Sequence, residues 1–397
     1  MQVKTYKPKL SFLTKRGVVW LGQTCNLKCY FCYFRKILDS ENHPEKPFMP
    51  LNKAKEIMKI LRYVYKNTSV DIQGGEPTIY PEILELVKYC HDIGLKPTLI
   101  TNAIVLDDLS LVKDYKKQGI TDFLISFHAL GDVYDNIVGV KGASKRQIKA
   151  IENLKKENIP FRYNLVLTKE LVSQFKDILY FIKYTEPLVV NFIYYNPFAT
   201  QENRDKSKIP RYSDYKELLQ NAIDFLENLN IEVNIRYFPI CILDEKYRKN
   251  IYNFHQLPYD HWEWDYLSWT WTTKFNQKTN SPILDEPKVC LPYEIQKYFE
   301  YQPIYGNIDL LTSIIYLACN FSKDYIYLLN AKLRAFVHTK YKKGIPCENC
   351  SLKYICDGFH GDYARYFGFS EAKPLKLNYT ILDPTYYIKN QRKKIIL

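Results

Sequence analysis

Short β-rich runs alternate with helix-like segments from residue 16 to residue 195, and this alternation constrains the fold more than any other feature. The predicted strands cover residues 17–23, 69–73, 95–100, 121–127, 160–168 and 188–196. The predicted helices, placed by their apolar spacing, cover residues 51–66, 81–94, 106–119, 144–159 and 171–185. Successive β/α units predict a parallel sheet, and right-handed crossovers favour an α/β fold built as a partial (β/α)6 TIM-type barrel.

Several polar or cysteine-containing segments follow directly after predicted strands. They are the cysteine loop at 25–32, Gly-Gly-Glu-Pro at 74–77, Thr-Asn-Ala at 101–103, residues 126–128 and Asn-Pro at 196–197. In parallel barrels, functional groups gather at the carboxyl ends of the strands. We therefore expect these segments to converge on one mouth of the barrel.

The cysteine loop CNLKCYFC places Cys25, Cys29 and Cys32 at a Cys-x3-Cys-x2-Cys spacing. Three thiolates can bind three irons of a [4Fe–4S] cube and leave the fourth iron open. An open metal position is what a catalytic site requires, because a substrate or cofactor must occupy it. The alternative is a zinc site, for which His43 would be the fourth ligand.

The rest of the sequence indicates the kind of protein and the cellular compartment. The chain of 397 residues starts without the apolar core of a signal peptide. Its most apolar stretch, residues 308–321, is interrupted by polar side chains and is too short for a membrane span. We therefore predict a cytoplasmic protein whose ten cysteines are reduced, so that clustered cysteines indicate metal binding rather than disulfides.

The net charge of +13 raises the question of a nucleic-acid partner. The lysines are scattered along the chain, with only short runs such as 4–9 and 392–394. This distribution favours a generally basic surface over a nucleic-acid-binding patch.

The motifs taken together resemble the signature of the radical S-adenosylmethionine (radical SAM) superfamily over residues 16–197. The cysteine loop, with Phe31 before its third cysteine, resembles the cluster-binding motif. Residues 74–77 resemble the GGEP element, and residues 101–103 resemble a TNG element in which Ala103 replaces glycine. Ser126 and the segment after it resemble the serine of the fourth strand and its loop.

This resemblance implies a cluster-bound S-adenosylmethionine (SAM) that is cleaved to a 5′-deoxyadenosyl radical, which abstracts hydrogen from a substrate. It implies that the glycines at 74 and 75 allow close backbone approach and that Glu76 accepts hydrogen bonds from the methionine ammonium. The implied cofactor-binding residues are Phe31, Gly74, Gly75, Glu76, Thr101, Asn102, Ser126 and Asn164. The local alternatives are that Asn102 caps a helix, that Ser126 is a buried hydroxyl and that His128 is structural.

A second cysteine group, Cys347, Cys350 and Cys356, resembles part of the SPASM and twitch extensions, which hold auxiliary clusters. We predict one auxiliary [4Fe–4S] cluster with Cys241 as its fourth ligand. Cys290, His360 or an open iron are the alternatives, and a structural zinc site is the non-catalytic interpretation. Cys90 and Cys319 are assigned to the core.

The predicted organisation follows from these assignments. Residues 1–200 form the radical SAM core, residues 201–289 a barrel-end helix and strand with an aromatic-rich linker or lid, and residues 290–397 the auxiliary-cluster region. The aromatic stretch at 259–275 is interpreted as a lid, a substrate platform or, preferably, a segment buried against the auxiliary region.

We predict a radical SAM enzyme that modifies a peptide or a small metabolite and receives electrons from a flavodoxin or ferredoxin. The segment before the first strand is too short for a winged leader-recognition domain. We therefore expect a peptide substrate to be recognised by the C-terminal region or by a partner. The competing hypotheses are an RNA-modifying radical SAM enzyme and a non-enzymatic iron–sulfur scaffold or electron-transfer protein, which would need no SAM pocket.

Overall fold

The computed structural model describes residues 3–6, 16–32, 46–64, 66–195, 206–264, 275–276, 281–282 and 341–396. The predictions made for His43, Asn196, Pro197, Cys290 and Cys319 lie outside the described residues. The aromatic stretch is described only as far as Trp264 and again at Phe275.

The described strands are, in chain order, β1 (Val3–Tyr6), β2 (Arg16–Trp20), β3 (Ser69–Gln73), β4 (Lys96–Thr101), β5 (Asp122–Ser126), β6 (Phe161–Leu167), β7 (Val189–Tyr194), β8 (Glu232–Arg236), β9 (Ile251–Tyr252), β10 (Phe275–Asn276), β11 (Ser281–Pro282) and β12 (Lys393–Ile396). Strands β2 to β9 form one parallel eight-stranded sheet in the order of the sequence. Strand β1 pairs antiparallel with β12, and β10 pairs antiparallel with β11.

The described α-helices are α1 (Leu51–Lys59), α2 (Ile83–Asp92), α3 (Leu109–Lys117), α4 (Gly131–Val138), α5 (Ala143–Lys156), α6 (Leu171–Thr185), α7 (Tyr212–Asn228) and α8 (Gly361–Phe367). A π-helical turn, Ile60–Val64, continues α1. The predicted α/β fold is confirmed: the sheet and its helices form a curled half-barrel. Strand β8, which matches the predicted barrel-end strand, and strand β9 extend the sheet beyond the six predicted units. The proposed domain division remains a prediction.

Helix α6 shows why these segments become helices that cover the sheet. Its buried apolar side chains, Leu171, Phe175, Ile178 and Ile182, recur at intervals of three or four residues. This spacing puts them on one helix face. Phe175 stacks on Phe192 of β7 with the ring centroids 5.5 Å apart. Each such burial contributes about 1.5–3 kcal/mol to folding.

Buried charges fill the amino-terminal part of the half-barrel. Arg16 on β2 pairs with Asp71 on β3 at 2.5 Å, and Arg162 on β6 pairs with Asp122 on β5 at 2.5 Å. The guanidinium carbon of Arg162 lies 4.1 Å from the centre of the Trp262 ring. Two further nitrogens of Arg162, Nη1 and Nη2, have no hydrogen-bond partner within the described part of the chain.

The segment around Trp262 therefore belongs to the interior of the half-barrel. Arg236 of β8 binds Asp260 at 2.7 Å and Glu263 at 2.5 Å, and Trp264 donates its Nε1 hydrogen to Asp71 at 2.7 Å. Asp260 and Glu263, two acidic residues of the aromatic stretch, are thus partners of a buried arginine.

A search of the described residues for a helix that is both long and apolar enough to cross a bilayer finds none.

Candidate active site

One cavity of about 280 Å³ lies at the carboxyl ends of the strands and extends towards the buried charges. Its walls include every residue predicted to bind the first cluster or the cofactor. These are Cys25, Cys29, Phe31, Cys32, Gly74, Gly75, Glu76, Thr101, Asn102, Ser126 and Asn164. The convergence expected from the strand ends is therefore observed, whereas the binding roles remain predictions.

The cysteine loop is fixed to the end of helix α4 by backbone hydrogen bonds. The Lys28 N–H donates to the Val138 carbonyl at 2.8 Å, and the Tyr30 N–H donates to the Ile137 carbonyl at 3.2 Å. Leu27 is buried and packs in the same apolar cluster as Ile137. These contacts hold the three half-buried thiols beside the cavity.

The chemistry of this donor set fits an iron–sulfur cluster, because cysteine thiolates are its usual ligands. Across the described ranges, no group of three or more His, Cys, Asp and Glu side chains converges on a position for one metal ion. A [4Fe–4S] cube does not require that convergence, since each thiolate binds a different iron.

Gly75 and Gly74 pack against the segment that leads into the cysteine loop. The Gly75 N–H donates to the Gly22 carbonyl at 2.9 Å, and the Glu76 N–H donates to the Thr24 carbonyl at 2.8 Å. A β-carbon at position 75 would lie 2.0 Å from the Thr24 carbonyl oxygen. The glycines thus allow a close backbone approach, as expected, but the group they approach is the protein's own backbone.

The Glu76 carboxylate joins the end of β3 to the end of β4. Its Oε1 accepts hydrogen bonds from Thr78 N (3.0 Å) and from the hydroxyls of Thr78 and Thr101 (2.5 Å each), and its Oε2 accepts one from Asn102 N (2.8 Å). Burial raises the pKa of Glu76, although these donors oppose the shift. That Glu76 also accepts a hydrogen bond from a cofactor ammonium remains a prediction.

Asn102 connects this arrangement to the cysteine loop. Its Nδ2 donates to Asn26 Oδ1 at 2.7 Å, while its Oδ1 accepts from the Ile104 N–H at 3.1 Å. The next residue, Ala103, has φ of 63° and ψ of 0°. This left-handed conformation explains why glycine suits the position, and alanine adopts it at a conformational cost of about 1–2 kcal/mol.

Two further residues shape the site, and the first, Gln147, was not singled out from the sequence. Its Nε2 lies within hydrogen-bond distance of Asn102 O (2.8 Å), Ser126 O (3.0 Å) and Tyr134 Oη (2.8 Å). It thereby connects the ends of β4 and β5 to α4. The sequence feature that could have identified Gln147 is its position on the face of α5 that also carries the buried Ala150 and Leu154.

The second is His128, which was interpreted as structural. Its Nδ1 accepts a hydrogen bond from the Val166 N–H at 3.3 Å, and its ring meets Phe31 edge to face at 4.9 Å. Burial lowers the pKa of His128 to about 3. The side chain is therefore neutral near pH 7 and carries its proton on Nε2.

The second cysteine group is brought together with Cys241. Burial is the main cause of the raised pKa of the Cys241 thiol, with further contributions from Cys347 and Cys350. Burial likewise raises the pKa of Cys356 to about 12, and Cys241 contributes. The Lys373 N–H points at Cys241 Sγ at 3.5 Å. Such mutual effects require proximity of the thiols.

The other candidate ligands have different surroundings. His360 is buried at the start of α8, where its Nδ1 accepts a hydrogen bond from the Asp362 N–H at 3.2 Å. Cys90 is fully buried in the main apolar core, as predicted.

Comparison with known proteins finds that residues 21–182 match the model of the radical SAM superfamily. The probable GTP 3′,8-cyclase of Sulfurisphaera tokodaii is 26% identical over 223 residues, which are 55% of this chain and 65% of that protein. The PqqA peptide cyclase of Bradyrhizobium diazoefficiens is 27% identical over 158 residues, 39% of this chain and 40% of that protein.

Among solved structures, Streptococcus suis SuiB bound to its precursor peptide SuiA matches with a TM-score of 0.45 and 24% identity, over 56% of this chain and 49% of that one. The chain spans less than two thirds of the length of each of these three proteins. The predicted resemblance to the radical SAM superfamily is confirmed over residues 21–182, the part of the chain that the family model matches.

Proposed function

Because residues 21–182 form a radical SAM domain, we propose that the protein is an enzyme that binds SAM and a substrate in the cavity described above. Cys25, Cys29 and Cys32 would hold a [4Fe–4S] cluster there. Such a cluster supplies the electron that cleaves SAM to methionine and a 5′-deoxyadenosyl radical, which abstracts hydrogen from the substrate. The observation that carries the proposal is that the three thiols share one cavity with Glu76, Asn102, Ser126 and Asn164.

The chain's own residues would hold and shield the reacting groups. The Gly75–Thr24 contact and the α4 backbone bonds fix the thiol positions. Leu27 and Phe31 contribute apolar walls on the cluster side, and Trp262 and Trp264 contribute aromatic walls at the deep end. Apolar and aromatic side chains in the wall limit the access of water to a reactive radical.

We further propose that Cys241, Cys347, Cys350 and Cys356 bind one auxiliary [4Fe–4S] cluster. Burial raises the pKa of Cys241, Cys347 and Cys356, and neighbouring thiols of the group add to each shift, so ionising them without a metal is costly. A bound iron–sulfur cluster removes this penalty because its irons neutralise the thiolates.

For the substrate we place a peptide first and a small metabolite second. The support comes from the relatives, one of which is named a peptide cyclase and another a GTP cyclase. Incubating the active enzyme with a small peptide encoded beside its gene, and with GTP, separates the two classes. A mass change in the peptide alone supports the first, and one in the nucleotide alone supports the second.

The radical chemistry is tested by anaerobic reconstitution, followed by dithionite and SAM. We expect 5′-deoxyadenosine from the wild-type protein and none from Cys25→Ala, Cys29→Ala or Cys32→Ala. Cys350→Ala is the matched control, since it would remove a ligand of the other cluster and retain SAM cleavage. Absence of 5′-deoxyadenosine from wild-type protein with intact clusters overturns the proposal. A flavodoxin or ferredoxin is the expected reductant in place of dithionite.

A further inference from the structure

Three asparagines lie side by side on neighbouring strands, and we call them the asparagine row. Asn164 on β6 is opposite Asn191 on β7, which is opposite Asn234 on β8. Asn191 Nδ2 donates to Asn164 Oδ1 at 2.8 Å, and Asn234 Nδ2 donates to Asn191 Oδ1 at 3.1 Å. The row leads from the protein interior to the cavity, where Asn164 and Asn191 contribute to the wall.

The interior end of the row has only one consistent amide orientation. Lys393 Nζ donates to Asn234 Oδ1 at 2.8 Å, and an ammonium group can only donate. Gln391 Nε2 donates to the same oxygen at 3.1 Å. This atom must be the amide nitrogen, because it also donates to the Val233 carbonyl at 2.7 Å. Asn234 Nδ2 donates in addition to Glu232 Oε1 at 2.9 Å. Turning the Asn234 amide over would place donors against donors.

The orientation of the Asn234 amide determines the orientation of the other two amides in the row. Since Asn234 Nδ2 donates, the Asn191 oxygen must accept, and Asn191 Nδ2 must then donate to Asn164 Oδ1. Asn164 is consequently left with its Nδ2 hydrogens for the cavity, where its side chain is partly exposed. Among the described residues no protein group accepts a hydrogen bond from this nitrogen. Because each amide oxygen in the row accepts a hydrogen bond, each amide is polarised and the terminal donor is strengthened.

We propose that Asn164 acts only as a hydrogen-bond donor, to an acceptor atom of the bound adenosyl group. Asn191, Asn234 and Lys393 are positioning residues that fix this polarity without touching the ligand. The inference rests on the proposed function, because it takes SAM as the occupant of the cavity. It assigns part of the site to β12, the strand of Lys393, far from the radical SAM domain in sequence.

The test is SAM binding to reconstituted protein without reductant, measured by calorimetry. Asn164→Ala removes the donor and is expected to weaken SAM binding roughly tenfold, the effect of one lost hydrogen bond. Asn164→Asp still accepts from Asn191 but cannot donate, and is also expected to weaken binding. Asn164→Ser, which keeps a donor, is expected to retain more affinity than Asn164→Ala.

The positioning role is tested by a double-mutant cycle. Lys393→Met combined with Glu232→Gln removes both members of a buried ion pair, and Glu232→Gln alone is the control, because glutamine can still accept from Asn234. The double variant is expected to weaken SAM binding about threefold with Asn164 present and not at all in Asn164→Ala. If the double variant does not fold, Asn191→Ser breaks the row nearer the cavity and enters the same cycle.

Equal effects of the double variant in both backgrounds overturn the positioning role, and wild-type affinity in Asn164→Ala overturns the whole inference. Failure of the wild-type protein itself to bind SAM is a different result, which rejects the proposed function.

Discussion

Gly75 lies directly against the backbone of Thr24, since a β-carbon at position 75 would be 2.0 Å from the Thr24 carbonyl oxygen. We expect Gly75→Ala to push Thr24 and Cys25 away from the end of β3. Such overpacking costs about 1–3 kcal/mol of unfolding free energy. Urea unfolding would measure this loss, and iron analysis after reconstitution would show a deficit at the first cluster.

The matched control is Gly131→Ala, because Gly131 has a φ of 57° but nothing within 4 Å of its hypothetical β-carbon. It should lose only the conformational advantage of glycine, about 1 kcal/mol, and retain full iron content. Equal iron loss in both variants would contradict the role given to the Gly75–Thr24 contact.

His128 is expected to make stability depend on pH. Burial lowers its pKa in the folded protein to about 3, below the value of about 6.5 in an unfolded chain. The unfolded chain therefore takes up the proton first, and stability declines as the pH falls from about 6.5 towards 3. His128→Gln removes this part of the decline, on the order of 2 kcal/mol at about pH 5.

The measurement is urea unfolding of both proteins at about pH 7.5 and pH 5. His261, whose pKa burial also lowers to about 3, remains in the variant, so a reduced decline is expected rather than none. A difference between variant and wild type that is the same at both pH values would show that His128 does not titrate in this way.

Cys241→Ser tests the auxiliary cluster. Loss of one of four ligands is expected to remove about four irons per chain after reconstitution, or to leave a labile cluster, while SAM cleavage continues. Iron and sulfide analysis gives the first result, and 5′-deoxyadenosine formation gives the second. Cys90→Ser is the control, because that buried cysteine lies in the apolar core, and its iron content should not change. Unchanged iron in Cys241→Ser would exclude Cys241 as a ligand.

Removing one charge of the Arg162–Asp122 pair is expected to destabilise the protein strongly, whereas removing both charges is expected to cost much less. Arg162→Met leaves a buried carboxylate without its partner and should lower the unfolding free energy by about 3–5 kcal/mol. Arg162→Met combined with Asp122→Asn removes both charges and should recover most of that loss. Urea unfolding of the single and double variants tests this, and a double variant less stable than Arg162→Met would contradict it.

Much of the site could be predicted because its signals are local. The Cys25–Cys32 spacing and the segments after each strand are contiguous in sequence, and a parallel sheet brings strand ends together whatever the details of packing. Helix α4 was missed because its eight residues lie between Gly131 and Gly139, within a stretch interpreted as a loop.

The interior of the half-barrel could not be predicted in the same way. Arg162, Asp122 and Lys393 are residue types that usually face water, and only strand register shows that they point inward. The asparagine row depends on register across β6, β7 and β8, which no single segment encodes. Cys241 was predicted as the fourth ligand from its position after the barrel, and in the structure it lies near Cys347 and Cys350.

The two kinds of strand pairing differ in the order in which they can form. In the large sheet each strand pairs with the next strand in the sequence, so its growth closes modest loops. Strand β12 pairs with β1 and contacts β8, and its pairing brings Val3 opposite Ile396, across nearly the whole chain. Non-local contacts of this kind form slowly. We therefore expect Lys393 to dock after the sheet has formed, so that the contacts which orient the Asn164 amide are completed late in folding.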